Sequence, residues 1–223
     1  MNYIQLDDVV APTSYSRLHA LVTGVEFPWF FHAKDVTYQT NGEFTFGGQD
    51  LFEPPKEYRL PGFFHAVIKT DQGPVSPYFA LIETAVLNSI QDRLGVECQF
   101  FRAIWRLTLN AGDRDGHTTA HVDHDDDHYT AIYYLNDCSG DTVLFDQYDD
   151  PKDFGGNVSE RWLKGRKQPY TINRRQTPKA NSAIIFDGHQ YHAGTPPQGD
   201  DAWRIVLNIN FKTHEHIFPA TST

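Results

Sequence analysis

The sequence predicts an α+β fold, mainly β, in which helices pack outside an antiparallel sandwich or barrel. Three observations carry this expectation. Two helices are readable in the first hundred residues, six short strand-like segments follow from Gln99 onward, and 39% hydrophobic with 14% aromatic residues supply a core for a chain of 223. A single domain accommodates that length, because all-β barrels and sandwiches often reach it.

The clearer helix runs from Pro77 to Leu94. Ser76 can cap it, Pro77 suits the first helical position, Ile82, Val86, Ile90 and Leu94 recur at helical spacing, and Gly95 is the stop. A shorter helix opens near Thr13 or Ser14, carries Leu18, Leu21 and Val22, and ends at Gly24. The strand segments are QFFRAIWRLTLN, TAHVD, YTAIYYLN, DTVLF, SAIIFD and WRIVLNINF, each rich in β-branched or aromatic residues and punctuated by Gly, Asn, Asp or Pro. Residues 1–98 therefore read as a helical and irregular support region and 99–213 as the β core. The stretch from about 149 to 179 interrupts the strands and is too long for a hairpin turn.

Composition excludes several classes. A net charge of −10 opposes approach of the whole surface to nucleic acid or anionic membrane. That charge is uneven: from Pro151 to Lys179 eight cations against two acids leave +6, so the remainder carries −16. Phe154, Trp162 and Tyr170 interleave with those cations, which suits a mobile solvated loop, a lid selecting an anionic substrate, or stacking on single-stranded bases. Cys98 and Cys138 form no C-x-x-C pair, so the sequence indicates neither a zinc knuckle nor a disulfide framework. The acidic N-terminus MNYIQLDDVV lacks signal-peptide character, and no apolar run approaches the roughly 18 residues of a membrane span, which predicts a cytoplasmic protein.

The densest group of metal-competent side chains is HTTAHVDHDDDHYTAIYYLN, from His117 to Asn136, with four histidines and four aspartates. The run His124 to His128 reads as a hydrated acidic loop. His121 and Asp123 sit at i and i+2 of an extended segment, so their side chains share a face and can converge on one ion. One nitrogen and one carboxylate oxygen suit a borderline divalent metal, and one more histidine completes a 2-His-1-carboxylate triad with open coordination positions. Further on, KANSAIIFDGHQYHAGTPPQGDDAWRIVLNINF supplies a strand, a turn with His189 and His192, a Pro/Gly loop and a strand bearing Arg204. On spacing alone either histidine can be the third ligand.

The combination of H-x-D, IYYLN, GDTVLF, A-I-I-F-D-G, a distal histidine and an arginine resembles the 2-oxoglutarate/iron(II)-dependent oxygenase superfamily, and within it the prolyl 4-hydroxylase-like group of small phage and bacterial enzymes. The resemblance covers about Trp105 to Phe211 and implies a double-stranded β-helix (jelly-roll) core. It implies His121, Asp123 and His192 as metal ligands, the family ligand preceding a small residue as His192 precedes Ala193 and Gly194. It implies Arg204 as the partner of the distal carboxylate of 2-oxoglutarate, with Tyr134 a hydrogen-bonding neighbour. Thr130, Ile132 and Tyr134 alternate on one strand face, so Thr130 joins the co-substrate candidates while Ile132 reads as core. His117, His128, His214 and His216 read as surface residues, and His189 as surface or pocket rim.

The implied cofactors are iron(II), 2-oxoglutarate, dioxygen and ascorbate. The implied reaction is hydroxylation of a prolyl residue in a peptide or of a free amino acid, with 2-oxoglutarate converted to succinate and CO2. One departure is Asn110, which stands where many members carry a tyrosine. Retention of Asp123 favours hydroxylation, since halogenating relatives have a small residue there. Two alternatives differ in class: a cupin-like isomerase or binding module, whose usual H-x-H pair is absent, and an oxygenase acting on nucleic acid.

Overall fold

Alternation with both faces buried sets the architecture. The structure is a computed structural model and describes residues 3–32, 62–110, 117–118, 120–149 and 170–218. In β6 (Tyr129–Tyr134), β9 (Ser182–Asp187) and β11 (Trp203–Lys212), nearly every residue is buried, as happens when a sheet is covered on both sides. The successive strands are β1 (Tyr3–Leu6), β2 (Phe30–His32), β3 (Gly62–Lys69), β4 (Gly73–Pro74), β5 (Gln99–Leu109), β6, β7 (Thr142–Tyr148), β8 (Ile172–Gln176), β9, β10 (Gln190–Gly194) and β11. They form an antiparallel sheet in the order β1-β9-β6-β11-β5-β3-β2, with β4 on β3, and a second sheet in the order β10-β7-β8.

One face of the large sheet carries Trp105, Tyr133, Ile185 and Leu207, which pack with Leu18, Val22, Ile82, Val86 and Ile90 of the helices. Each fully buried side chain of this size contributes roughly 1.5–3 kcal/mol of transfer free energy. The other face carries Ile132, Tyr134, Ile184, Phe186 and Val206, which pack with Leu144 of the small sheet. The result is α+β, mainly β, with a double-stranded β-helix core and the helices outside it. No described helix is long and apolar enough to cross a membrane.

The helices differ in detail from expectation. The first, α1 (Pro12–Val22), starts at Pro12 and has no side-chain cap. The second spans the expected region as α2 (Phe79–Ile82), a π-helical turn (Glu83–Leu87) and α3 (Asn88–Leu94), stopped by Gly95 at φ 68°. Ser76 does not cap it: its Oγ accepts from the Tyr78 N–H at 3.0 Å and pairs with His65 Nε2 at 2.7 Å, so the helix begins later.

The region read as helical and irregular also contains β1 to β4, and β8 lies inside the stretch read as an insertion. β1 is only four residues long and exists through pairing with β9, far along the chain. No local signal marks such an edge strand. Conversely, TAHVD is not a continuous strand: His121 forms an isolated bridge to His192.

Two residues hold this arrangement locally. Asn181 sits in the left-handed region (φ 60°) and is buried. Its Oδ1 accepts from the Val10 N–H at 2.9 Å and the Tyr133 hydroxyl at 3.1 Å, while its Nδ2 donates to the Val10 carbonyl at 2.8 Å. His128, expected at the surface, is 5% exposed. Its Nδ1 donates to the Asp126 carbonyl at 2.7 Å, leaving Nε2 bare and without a hydrogen-bond partner. The ring fills the space a Cβ would need at Gly188, so only glycine fits there.

Asn181→Ala should lower the unfolding free energy by about 2–4 kcal/mol, because a buried N–H, a carbonyl and a hydroxyl lose partners together; urea denaturation measures it, and an unchanged midpoint would contradict the assignment. Burial pushes the His128 imidazole down from 6.5 to about 4. The unfolded chain then takes up its proton first, so stability is full above about pH 6.5 and falls as pH drops towards 4, by at most about 3 kcal/mol. Melting temperatures across that range should show the loss in the wild type and a smaller loss in His128→Phe.

Candidate metal and co-substrate site

The two sheets bring three ligand-type side chains together from separate places. His192 lies in β10, whose neighbour on one side is β7. On its other side, His121 and His192 exchange both backbone hydrogen bonds, at 3.0 and 2.9 Å, so the residues stand directly opposite and their ring centroids are 4.5 Å apart. Asp123 follows two residues later and turns towards the large sheet. Ligand atoms of His121, Asp123 and His192 all lie within 4.8 Å of one another.

Asp123 is held from the large sheet by residues absent from the sequence expectation. Arg102 of β5 contacts its Oδ1 at 3.2 Å, and Asn208 and Asn210 of β11 each donate to its Oδ2 at 3.1 Å. Burial by itself would raise this carboxyl, but the Arg102 guanidinium beside it outweighs that and holds the group well below the usual carboxylate range. A signal for these residues does exist. Arg102 and Arg106 in QFFRAIWRLTL, and Asn208 and Asn210 in LNINF, are polar residues recurring on one face of otherwise apolar strands.

The donor set fits a divalent metal. His192 Nδ1 lies 3.2 Å from the Gln190 carbonyl, which can only accept, so Nδ1 carries the proton and Nε2 is bare. That bare nitrogen is buried, has no hydrogen-bond partner, and stands 3.5 Å from Asp123 Oδ2. An unpartnered electron pair buried beside a carboxylate suits a cation that both groups can share.

At the far end of the same cavity lies Arg204, 7% exposed. Its Nε donates to the Gly140 carbonyl at 2.8 Å and its Nη2 to Thr142 Oγ1 at 2.7 Å, and among the described residues it forms no ion pair. Burial lowers its pKa, although a guanidinium remains charged. A buried cation without an acid is costly unless an anion joins it.

Tyr134 and Thr130 do not line this cavity; Ile132, read as core, does. The Tyr134 hydroxyl donates to Thr142 Oγ1 at 2.8 Å, so it steadies the hydroxyl that Arg204 also uses. Thr130 Oγ1 accepts from Asn210 at 3.0 Å and so supports the Asp123 end. Asn110 donates to the carbonyls of Gly199 and Asp201, both at 2.9 Å, and fastens the loop before β11.

His189 stays apart from the triad and pairs with Asp127 at 3.0 Å, while His214 and His216 are exposed. Of the basic stretch, Arg174 stacks on Tyr3 at 4.3 Å, Arg175 lies 3.7 Å from Asp141, and Lys179 pairs with Asp7 at 3.1 Å. These three serve the surface around β8. The stretch's other five cations lie outside the described residues.

No protein-family model matches the chain, and no curated protein matches it. Solved structures do. A 2OG-Fe(II) oxygenase family oxidoreductase from Burkholderia pseudomallei superposes with a TM-score of 0.59 at 13% identity, over 97% of this chain and 88% of that one. The non-heme alpha-ketoglutarate-dependent carbocyclase SnoK from nogalamycin biosynthesis gives 0.53 at 12%, over 94% and 79%. AviO1 from Streptomyces viridochromogenes gives 0.51 at 14%, over 98% and 91%. At such identities the likeness is one of fold, and the fold of this chain is the double-stranded β-helix of the 2OG-Fe(II) oxygenases.

Proposed function

We propose that the chain is an iron(II)- and 2-oxoglutarate-dependent oxygenase that hydroxylates a small-molecule or peptide substrate. The observation that carries this is one cavity lined by His121, Asp123, His192 and the buried Arg204, which forms no ion pair among the described residues. Three protein ligands leave open coordination positions, and the arginine supplies an anion site in the same cavity.

His192 Nε2, one oxygen of Asp123 and His121 would hold the metal. Arg204 would bind the distal carboxylate of 2-oxoglutarate, its fork aimed by Gly140, Thr142 and Tyr134. Bound iron and keto acid supply the oxidising chemistry, in which one oxygen of O2 enters a C–H bond and the other enters succinate as CO2 leaves. The chain's own part is positioning and shielding. Tyr134 stays a neutral phenol, since burial pushes its pKa up, so it acts as a hydrogen-bond donor. Val206 and Ile132 supply apolar wall to the cavity.

The finer readings rest on the sequence: the target and ascorbate on the family resemblance, the anionic substrate on the basic stretch from Pro151 to Lys179, and the setting on the N-terminus and the absence of a long apolar run. A prolyl residue or a free amino acid is the proposed target, and Asp123 as a ligand favours hydroxylation over halogenation. A substrate with anionic groups and ascorbate as a supporting reductant belong to the same proposal, as does a cytoplasmic setting. SnoK shares the fold and is named a carbocyclase, so the fold by itself leaves the outcome at carbon open.

The direct test is titration with Mn(II) and then 2-oxoglutarate, followed by aerobic assay of succinate with iron(II). One metal should bind per chain, and succinate should form slowly even without the target. His192→Ala should abolish metal binding; a wild-type protein that binds no Mn(II) would sink the reading. Arg204→Met should leave Mn(II) affinity intact and weaken 2-oxoglutarate about 10–150-fold, the equivalent of a lost charge-assisted bond of about 1.5–3 kcal/mol. Equal 2-oxoglutarate affinity in that variant would remove Arg204 from the co-substrate site.

A further inference from the structure

The environment of Asp123 contains a directional device. Arg102 meets three oxygens through one nitrogen: Asn210 Oδ1 at 2.7 Å, Asp123 Oδ1 at 3.2 Å and Asn208 Oδ1 at 3.3 Å. A guanidinium donates and never accepts. Each asparagine must therefore turn its oxygen to Arg102, which leaves its amide nitrogen for the opposite side. Asp123 is on that side, with Asn208 Nδ2 at 3.1 Å from Oδ2 and 3.4 Å from Oδ1, and Asn210 Nδ2 at 3.1 Å from Oδ2.

Shape does not choose the orientation of an asparagine amide, because its oxygen and nitrogen are nearly alike in size. The choice falls to a neighbour with fixed hydrogen-bond polarity. Thr130, which also touches Asn210, cannot make it, since a hydroxyl both donates and accepts. The acceptor-only carboxylate of Asp123 makes it from one side and the donor-only Arg102 from the other. Arg102 is 5% exposed and anchored in β5 directly opposite Asn210, as the strand register aligns Asn210 with Arg102.

The consequence concerns the number of oxygens Asp123 can offer. A carboxylate has about four lone-pair directions; Asn208 and Asn210 take the two on Oδ2 and Arg102 one on Oδ1, which leaves one on Oδ1. We propose that Arg102 is a positioning residue that locks both asparagine amides with their N–H groups towards Asp123, so that Asp123 faces the metal through a single oxygen. This rests on the reading of Asp123 as a metal ligand. Without Arg102 the carboxylate loses its charge partner and both amide oxygens lose the donor that anchors them from the far side, so the two N–H donors to Asp123 are no longer held in place.

The test uses Mn(II) alone as probe and calorimetric affinity as readout, with near-ultraviolet circular dichroism to establish that each variant is folded. Arg102→Leu should weaken Mn(II) binding about 10–100-fold, the usual cost of removing a group that orients a ligand. Arg102→Lys, which also only donates, should recover most of it. Unchanged Mn(II) affinity in folded Arg102→Leu overturns the inference while leaving the oxygenase reading intact. A wild-type protein that binds no Mn(II) removes that reading itself, and this inference with it.

A second arm keeps Arg102 in place and so does not depend on Arg102→Leu folding. In Asp123→Ala the donor cradle of Arg102, Asn208 and Asn210 remains, and excess sodium formate should occupy it and restore Mn(II) binding. Formate that fails to restore binding shows that the cradle is not pre-set and overturns the inference.

Discussion

The buried contact between Arg102 and Asp123 is the constraint around which the site is arranged. It spans the space between the sheets: Arg102 stands on β5 of the large sheet, and Asp123 follows the bridge that attaches His121 to β10 of the small one. A buried ion pair is poor evidence for stability, because desolvation of both charges offsets their attraction. Its value here is geometric. The carboxylate is fixed against Asn208 and Asn210, and that placement brings its oxygens next to the two imidazoles.

The rest of the fold makes that contact possible. Because the large sheet is covered on both faces, its strands can spend one face on a pure hydrocarbon core and the other on the cavity. On β5, Trp105 packs outward among the helices while Arg102, Arg106 and Thr108 line the cavity; on β11, Leu207 and Ile209 do the same outward work while Arg204 and Asn208 turn inward. Polar groups that would be intolerable in a single-sided core are satisfied here by one another. Two groups that face the cavity stand out: His192 Nε2, which has no hydrogen-bond partner, and the Arg204 guanidinium, which among the described residues has hydrogen bonds but no ion pair.

How much of this was legible depends on whether the signal was local. H-x-D, the strand after it, the distal histidine and the arginine were readable because each is a short pattern in order along the chain. The alternating polar residues of QFFRAIWRLTL and LNINF were equally visible, but nothing in one strand says which neighbour its inward face will meet. Arg102 acquires meaning from Asn210 more than a hundred residues later, through the pairing of β5 with β11. His128 differs from its sequence expectation for a related reason: in a run of aspartates it looks solvated, yet Gly188 leaves a hollow that its ring fills.

By itself the sequence determined the mainly β fold class with helices outside, the span of the second helix, and the set of residues from which a metal site could be drawn. These follow from periodicity and motif order, which are properties of neighbours in the chain. Only the tertiary structure decided that β1 closes the edge of the large sheet, that His121 and His192 stand opposite each other, that Tyr134 and Thr130 support the cavity from behind, and that Asp123 is gripped from the far sheet. Those are outcomes of strand register, and register is fixed by which faces two distant segments can bury against each other.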